Sequence, residues 1–183
     1  ACLSLLQGAL HDAITRNALM KLFFFFVLFS LTPCFGQNGV SVMVKQHEAR
    51  SDFSERPYGN DDLSYGVYLD LFEGVGGWRF GAAMSDDLSG VEGVDTVITP
   101  EITLLVVDQL WETGISALMD YVDTEGGSEW GDIYFQTQLG INVPVSDRIQ
   151  MGVHIFYPME SITDIVDFSF SDLDMAVQLR VMF

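Results

Sequence analysis

Cysteine is scarce in this chain of 183 residues: there are two, Cys2 and Cys34. Both precede Gln37, so no disulfide can tie the remainder together, and its stability has to come from elsewhere. Basic side chains are scarce as well, with 8 Lys and Arg against 26 Asp and Glu and a formal charge of −18. That sign excludes nucleic acid as a partner, because phosphate binding depends on a surplus of cations. Long apolar runs are missing except for one near the start, which rules out a bundle of membrane-spanning helices. Nothing in the spacing of residues calls for a cofactor.

The exceptional run extends from Leu22 to Leu31 and is rich in Phe. Met20 and Lys21 precede it, and a short polar exit from Thr32 to Gly36 follows, the make-up of a secretory signal peptide with cleavage expected before Gln37. Residues 1–19 read as an upstream extension, 20–36 as the signal peptide and 37–183 as the folded domain. Leu31-Thr32-Pro33-Cys34 has the outline of a lipidation box, although Pro33 stands where such boxes carry a small residue.

Beyond Gln37 the pattern changes to a period of two. It is clearest at the end, where Leu173, Met175, Val177, Leu179, Val181 and Phe183 alternate with Asp174, Ala176, Gln178, Arg180 and Met182. A period of two marks a strand with one apolar and one polar face. Strands are predicted over 39–48, 64–73, 77–85, 100–108, 113–122, 132–143, 148–157 and 173–183, each long enough to cross a bilayer when tilted. The connections alternate between long and short, as in up-and-down barrels of the outer membrane. An even strand number puts both termini on one side, which such a barrel keeps in the periplasm.

One face carries Val40, Val42, Val44, Val67, Leu69, Leu71, Phe80, Ile133, Leu139, Met151 and Val153, almost without charge. Its aromatics gather at strand ends: Tyr65, Tyr121 and Tyr157 toward the long connections, Trp78 and Phe183 toward the short ones, as two headgroup belts would require. The other face is mostly Gly, Ala, Ser and Gln with about one charge per strand, which suits a cramped lumen better than a wet surface. A soluble barrel would alternate too, with the faces reversed. The segment from Ile102 to Val107 is apolar on both faces, so its register stays ambiguous.

For the lumen, a tight turn at Gly74 and Val75 sets Asp70 opposite Arg79, an ion pair that offsets the cost of burial. Lys45, Asp120 and Arg180 are expected to join the same network, with Gln136, Gln138 and Gln178 as adaptable hydrogen-bond partners. His154 is expected opposite Gln136, if the intervening turn spans 143–147. Negative charge concentrates in the connections, for example Asp52, Asp86, Glu92, Glu125, Glu160 and Asp164. Its ordinary role is to keep a surface solvated; bridging by divalent cations to lipopolysaccharide phosphates is the functional alternative. Phe168 and Phe170 alternate with Ser169 and Ser171, so the last strand is allowed an earlier start through a bulge, giving an edge for a partner strand.

With its signal peptide, eight strands and closing Met175, Val177, Leu179, Val181, Phe183 pattern, the region 37–183 resembles the small eight-stranded outer-membrane barrels, such as the membrane domain of OmpA or the OmpX type. The resemblance implies a closed all-β transmembrane barrel, a C-terminal signal read by the barrel-assembly machinery, and outer-membrane lipid and lipopolysaccharide as surroundings. It implies a structural or surface-interaction role. Two alternatives stay open: a narrow channel, and a lipid-modifying enzyme, for which the rim offers His47 and Ser64 with Glu48 or Asp62.

Overall fold

Strict alternation of apolar and polar residues lets a strand serve two environments at once, and eight such strands close on one another here. The computed structural model describes residues 38–49, 56–86, 88–89, 93–108, 110–124, 126–163 and 170–183. The expected signal peptide, Cys34 and residues 1–19 lie outside them. The strands are β1 (Gly39–Gln46), β2 (Leu63–Glu73), β3 (Gly76–Asp86), β4 (Val94–Asp108), β5 (Trp111–Thr124), β6 (Gly127–Ser146), β7 (Ile149–Met159) and β8 (Asp174–Met182). Each pairs antiparallel with its sequence neighbours, and β1 closes the barrel against β8 with Val42 opposite Leu179. Closure leaves no edge within the barrel wall and satisfies the backbone inside the sheet, the condition for a sheet to lie in lipid.

The faces point as the alternation requires. Val40, Val42, Val44, Val67, Leu69, Phe80, Ile102, Leu139, Met151 and Val153 are exposed on the outside, while Ser41, Lys45, Asp70, Arg79, Gln136, His154, Gln178 and Arg180 are buried inside. A water-soluble barrel has the opposite arrangement. The terminal set Met175, Val177, Leu179, Val181 and Phe183 also faces outward. Tyr65, Trp78 and Phe183 are exposed, and Tyr121 is half-buried against Trp130 with ring centroids 4.8 Å apart.

Tyr157 departs from this belt, being 4% exposed although its register faces outward opposite Thr137. From Phe156 to Met159 β7 is buried on both faces, so the alternation read from sequence no longer reports orientation at that end. The sheet is also taller than expected at the end away from the termini. β4 begins at Val94 and β6 at Gly127, so most of the connections expected over 86–99 and 123–131 is strand. The ambiguous register of β4 resolves with Val97, Thr99, Glu101, Thr103 and Leu105 inward and Ile98, Ile102 and Leu104 outward.

The turn between β6 and β7 is tighter than expected, at Asp147 and Arg148, with a register shift between Pro144 and Ser146. His154 therefore faces Gly140, and Gln136 faces Pro158, correcting the expected His154 to Gln136 pairing. β8 has no early start: Phe170–Asp172 form a short 3-10 turn and the strand begins at Asp174. Phe168 lies outside the described residues.

Candidate functional site

Two layers of polar side chains occupy the lumen, and a third closes its far end. The layer nearest the termini is built on the hairpin pair read from sequence. Asp70 and Arg79 face each other across β2 and β3, and Arg79 Nε donates to Asp70 Oδ1 at 2.7 Å. Arg180 Nε donates to Asp70 Oδ2 at 2.6 Å. Both arginines also reach Glu112 on β5, Arg79 Nη2 to Oε1 at 3.1 Å and Arg180 Nη2 to Oε2 at 2.5 Å. Two guanidinium groups and two carboxylates thus form a closed, charge-balanced ring with every member buried.

Neutral side chains occupy most of its remaining sites, while among the described residues Arg79 Nη1 has no hydrogen-bond partner. Ser41 donates to Asp70, Gln138 and Asn142 donate to the two oxygens of Glu112 at 2.9 and 3.0 Å, and Gln178 accepts from Arg79 at 3.2 Å. His154 Nε2 lies 3.2 Å from Asn142 Oδ1, a contact that requires the proton on Nε2. Such a ring tolerates low dielectric because each charge meets its opposite and is hydrogen-bonded as well. Sequence reading missed Glu112, assigning it to a turn; the actual turn is shorter, so Glu112 falls on the inner register of β5.

Lys45 and Asp120, expected in the same network, lie in layers farther from the termini. Lys45 Nζ donates to Gln136 Oε1 at 3.1 Å and sits 4.3 Å from the centre of the Phe156 ring. Beside it, Glu101 accepts from Thr103 and Ser116 at 2.6 and 2.9 Å. Asp120 accepts from Thr99 at 2.5 Å and from the Tyr134 hydroxyl at 3.2 Å.

At the far rim the connection between β1 and β2 turns into the barrel. Backbone bonds between His47 and Asp62, and between Asp61 and His47, hold its base. Arg56 and Tyr58 are buried, and Tyr58 donates to Thr99 at 2.8 Å. Here His47 Nε2 lies 2.9 Å from Ser64 Oγ and His47 Nδ1 lies 3.0 Å from Asp174 Oδ2. The rim pair His47 and Ser64 is therefore real, but its acid is Asp174. Glu48 contributes its N–H to Asp174 Oδ1 at 3.0 Å, and Asp62 accepts from Gly59 and Ser89.

The arrangement has the order of a Ser-His-Asp relay, yet its chemistry differs. Arg56 Nη2 lies 2.8 Å from Asp174 Oδ2 and 2.9 Å from His47 Nδ1, and Tyr58 stacks on the imidazole at 3.8 Å. Burial pushes the His47 pKa down to about 4, against the raising effect of its Asp174 hydrogen bond. Burial alone would lower the Arg56 pKa, but the Asp174 carboxylate holds it above its ordinary value. Burial raises the Tyr58 hydroxyl, with the Asp120 charge adding to it. A weakly basic imidazole under a permanent cation, beside a serine 2% exposed, has the properties of a structural clasp. Arg56 and Asp174 were missed because the contact joins the connection after β1 to the start of β8, a proximity that barrel closure alone creates.

Among the described residues no group of three His, Cys, Asp or Glu side chains is placed to hold a metal ion. Asp52, Glu92, Glu125 and Asp164 lie outside them.

No family model and no curated protein matches the sequence. Among solved structures, Neisserial surface protein A is similar with a TM-score of 0.52 and 11% identity, covering 80% of this chain and 97% of that one. Ail, the attachment invasion locus protein of Yersinia pestis, is similar with a TM-score of 0.41 and 11% identity, covering 79% of this chain and 95% of that one. The chain is an eight-stranded antiparallel barrel of the architecture seen in Neisserial surface protein A.

Proposed function

We propose that the chain is an outer-membrane barrel with a structural or surface-interaction role, termini in the periplasm, its lumen closed to solutes and no catalytic activity. The buried ring of Asp70, Arg79, Glu112 and Arg180 carries this reading. Eight strands already leave little interior space, and the ring spends it on charge neutralisation. The exposed apolar exterior supports residence in lipid, and the outward-facing Met175 to Phe183 pattern supports recognition by the assembly machinery. Neisserial surface protein A, which shares the fold, is a surface protein by name.

The test is planar-bilayer recording of the refolded protein, whose folded state is verified by a gel-mobility shift on boiling. Conductance at the lipid baseline is expected. Discrete steps in the unaltered protein, abolished or enlarged in Arg79→Ala, would replace the closed barrel with a channel.

A further inference from the structure

Asp120 is 3% exposed, and only one of its carboxylate oxygens is served by donors. Oδ1 accepts from Thr99 and from the Tyr134 hydroxyl, while among the described residues Oδ2 accepts from none. A carboxylate oxygen buried without a donor is costly, and this one belongs to a side chain that borders open space. Asp120 lines a cavity of about 460 Å³ together with Tyr134 and Arg56, which are buried as well, and with Gly131, Asp132, Ile133 and Glu160, which are exposed. The three buried residues form its inner side and the exposed ones its mouth. That volume lies in the range of small-molecule sites.

An irregularity in the sheet sets this arrangement. Met119 faces Ile133 while Tyr121 faces Trp130, so Gly131 and Asp132 together oppose Asp120 in a bulge, the device by which a strand re-aims a side chain. Three carboxylates line the cavity against one guanidinium, and Arg56 is itself held by Asp174 at 2.8 Å. Anionic ligands, lipid phosphates included, are repelled by this balance. A metal ion is a poor occupant too, because among the described residues no three acidic side chains converge on one point. Carboxylates spread from a buried floor to an exposed mouth are met better by a chain with a cation at each end than by a single ion. Ile133 and Tyr134 add apolar surface on which the methylene groups of such a chain can lie.

We propose that this cavity binds an aliphatic diamine, with one ammonium group donating to Asp120 Oδ2 and the other held by Asp132 and Glu160 at the mouth. An ammonium group has donors only, so the inner one supplies the hydrogen bond that Oδ2 lacks, and it does so charge to charge. The outer carboxylates are solvated and draw the cation in more than they grip it. Such a site lies apart from the ring of Asp70, Arg79, Glu112 and Arg180 and does not depend on whether the barrel conducts.

The test is calorimetric titration of the full chain, folded in neutral detergent micelles, with putrescine, n-butylamine and magnesium chloride at constant ionic strength. Saturable binding of putrescine is expected, with n-butylamine at least roughly tenfold weaker for want of the second cation, and with magnesium failing to displace putrescine at equal concentration. Asp120→Asn keeps an acceptor for Thr99 and Tyr134 but removes the charge, and is expected to weaken putrescine at least roughly tenfold. Asp132→Asn combined with Glu160→Gln alters exposed residues only, and is expected to narrow the gap between putrescine and n-butylamine. Asp147→Asn removes a charge from the turn between β6 and β7 at the other end of the barrel, and is expected to change nothing. Putrescine is expected to shift the amide resonances of Gly131 and Ile133 and to leave those of Asp147 and Arg148 in place. Should Asp120→Asn lose its gel-mobility shift, the exposed pair of substitutions and the amide shifts decide. Equal affinity for n-butylamine, displacement by magnesium, an equal loss in Asp147→Asn, or an unchanged preference in the exposed pair would reduce the effect to diffuse attraction by an acidic chain and overturn the proposal. Absence of binding would overturn it too, and a silent bilayer recording would still leave the closed surface barrel standing.

Discussion

Arg79 and Arg180 share the same two carboxylates, each donating to both Asp70 and Glu112, so that β2, β3, β5 and β8 are tied together inside the barrel by one ring of charge. Neither arginine has a private counter-ion. Loss of one therefore leaves two carboxylates facing a single cation in a site closed to solvent.

Arg79→Ala is accordingly expected to destabilise the folded barrel by about 3 to 5 kcal/mol, the range for breaking one partner out of a buried ion network. Reversible urea unfolding in lipid vesicles measures it. Combining Arg79→Ala with Asp70→Ala is expected to cost less than the two single losses added together, since the double change removes an opposite pair. Additive costs would mean that the ring is not acting as a unit.

His47 supplies a pH dependence whose sign follows from burial. Its folded pKa of about 4 lies below the ordinary 6.5, so between these values the unfolded chain binds the proton and the folded chain does not. The contribution of the neutral clasp is complete above pH 6.5 and is lost as the pH falls toward 4, amounting to about 3 kcal/mol at most. In unfolding titrations His47→Phe is expected to flatten the dependence across this window. Imidazole carbon shifts of His47 in the folded protein are expected to stay those of a neutral ring at pH 5.5.

Ser64→Ala removes only the hydroxyl that meets His47 Nε2. The expected cost is about 1 kcal/mol, typical of one hydrogen bond. Lipid A incubated with the unaltered protein and with this variant is expected to show identical masses. A mass change confined to the unaltered protein would turn the clasp into a catalytic relay.

Gly81 faces Tyr68 across β2 and β3, and the Tyr68 ring lies over it. A methyl group at Gly81 would stand 2.2 Å from the Val67 carbonyl oxygen and 2.5 Å from the Tyr68 ring. Gly81→Ala is expected to cost about 1 to 3 kcal/mol through overpacking, and Gly81→Val to prevent the boiling-sensitive gel shift. Gly74 has open space at the same position but a φ of 65°, so Gly74→Ala is expected to act by backbone strain, at about 1 kcal/mol.

The barrel itself was legible in the sequence because its cause is local. Alternation from Val40 to Val44 and from Met175 to Phe183 sorts side chains to two faces with no knowledge of the neighbouring strand. The hairpin pair Asp70 and Arg79 was legible for the same reason, since a two-residue turn sets the register on both sides of it. Where the determinant was distant, sequence was silent or misled. Glu112 and Asp174 acquire their partners only when segments far apart in the chain are brought together, Glu112 with Arg180 across the lumen and Asp174 with His47 at the seam where β1 meets β8. His154 lost its expected partner because the turn at Asp147 and Arg148 is tighter than the composition of the loop indicates. Tyr157 left the outer belt because both faces of β7 are covered beyond Ile155.

The sequence by itself determined that the chain forms a strand-built wall with an apolar and a polar side, because residue alternation and pleat share a period of two. Only the tertiary structure decided which charges neutralise one another, that His47 and Ser64 answer to Asp174, and that a bulge in β6 lies beside an acidic cavity. Those features depend on closure and on stagger between strands, which arise from pairing between segments and have no signature in any one of them.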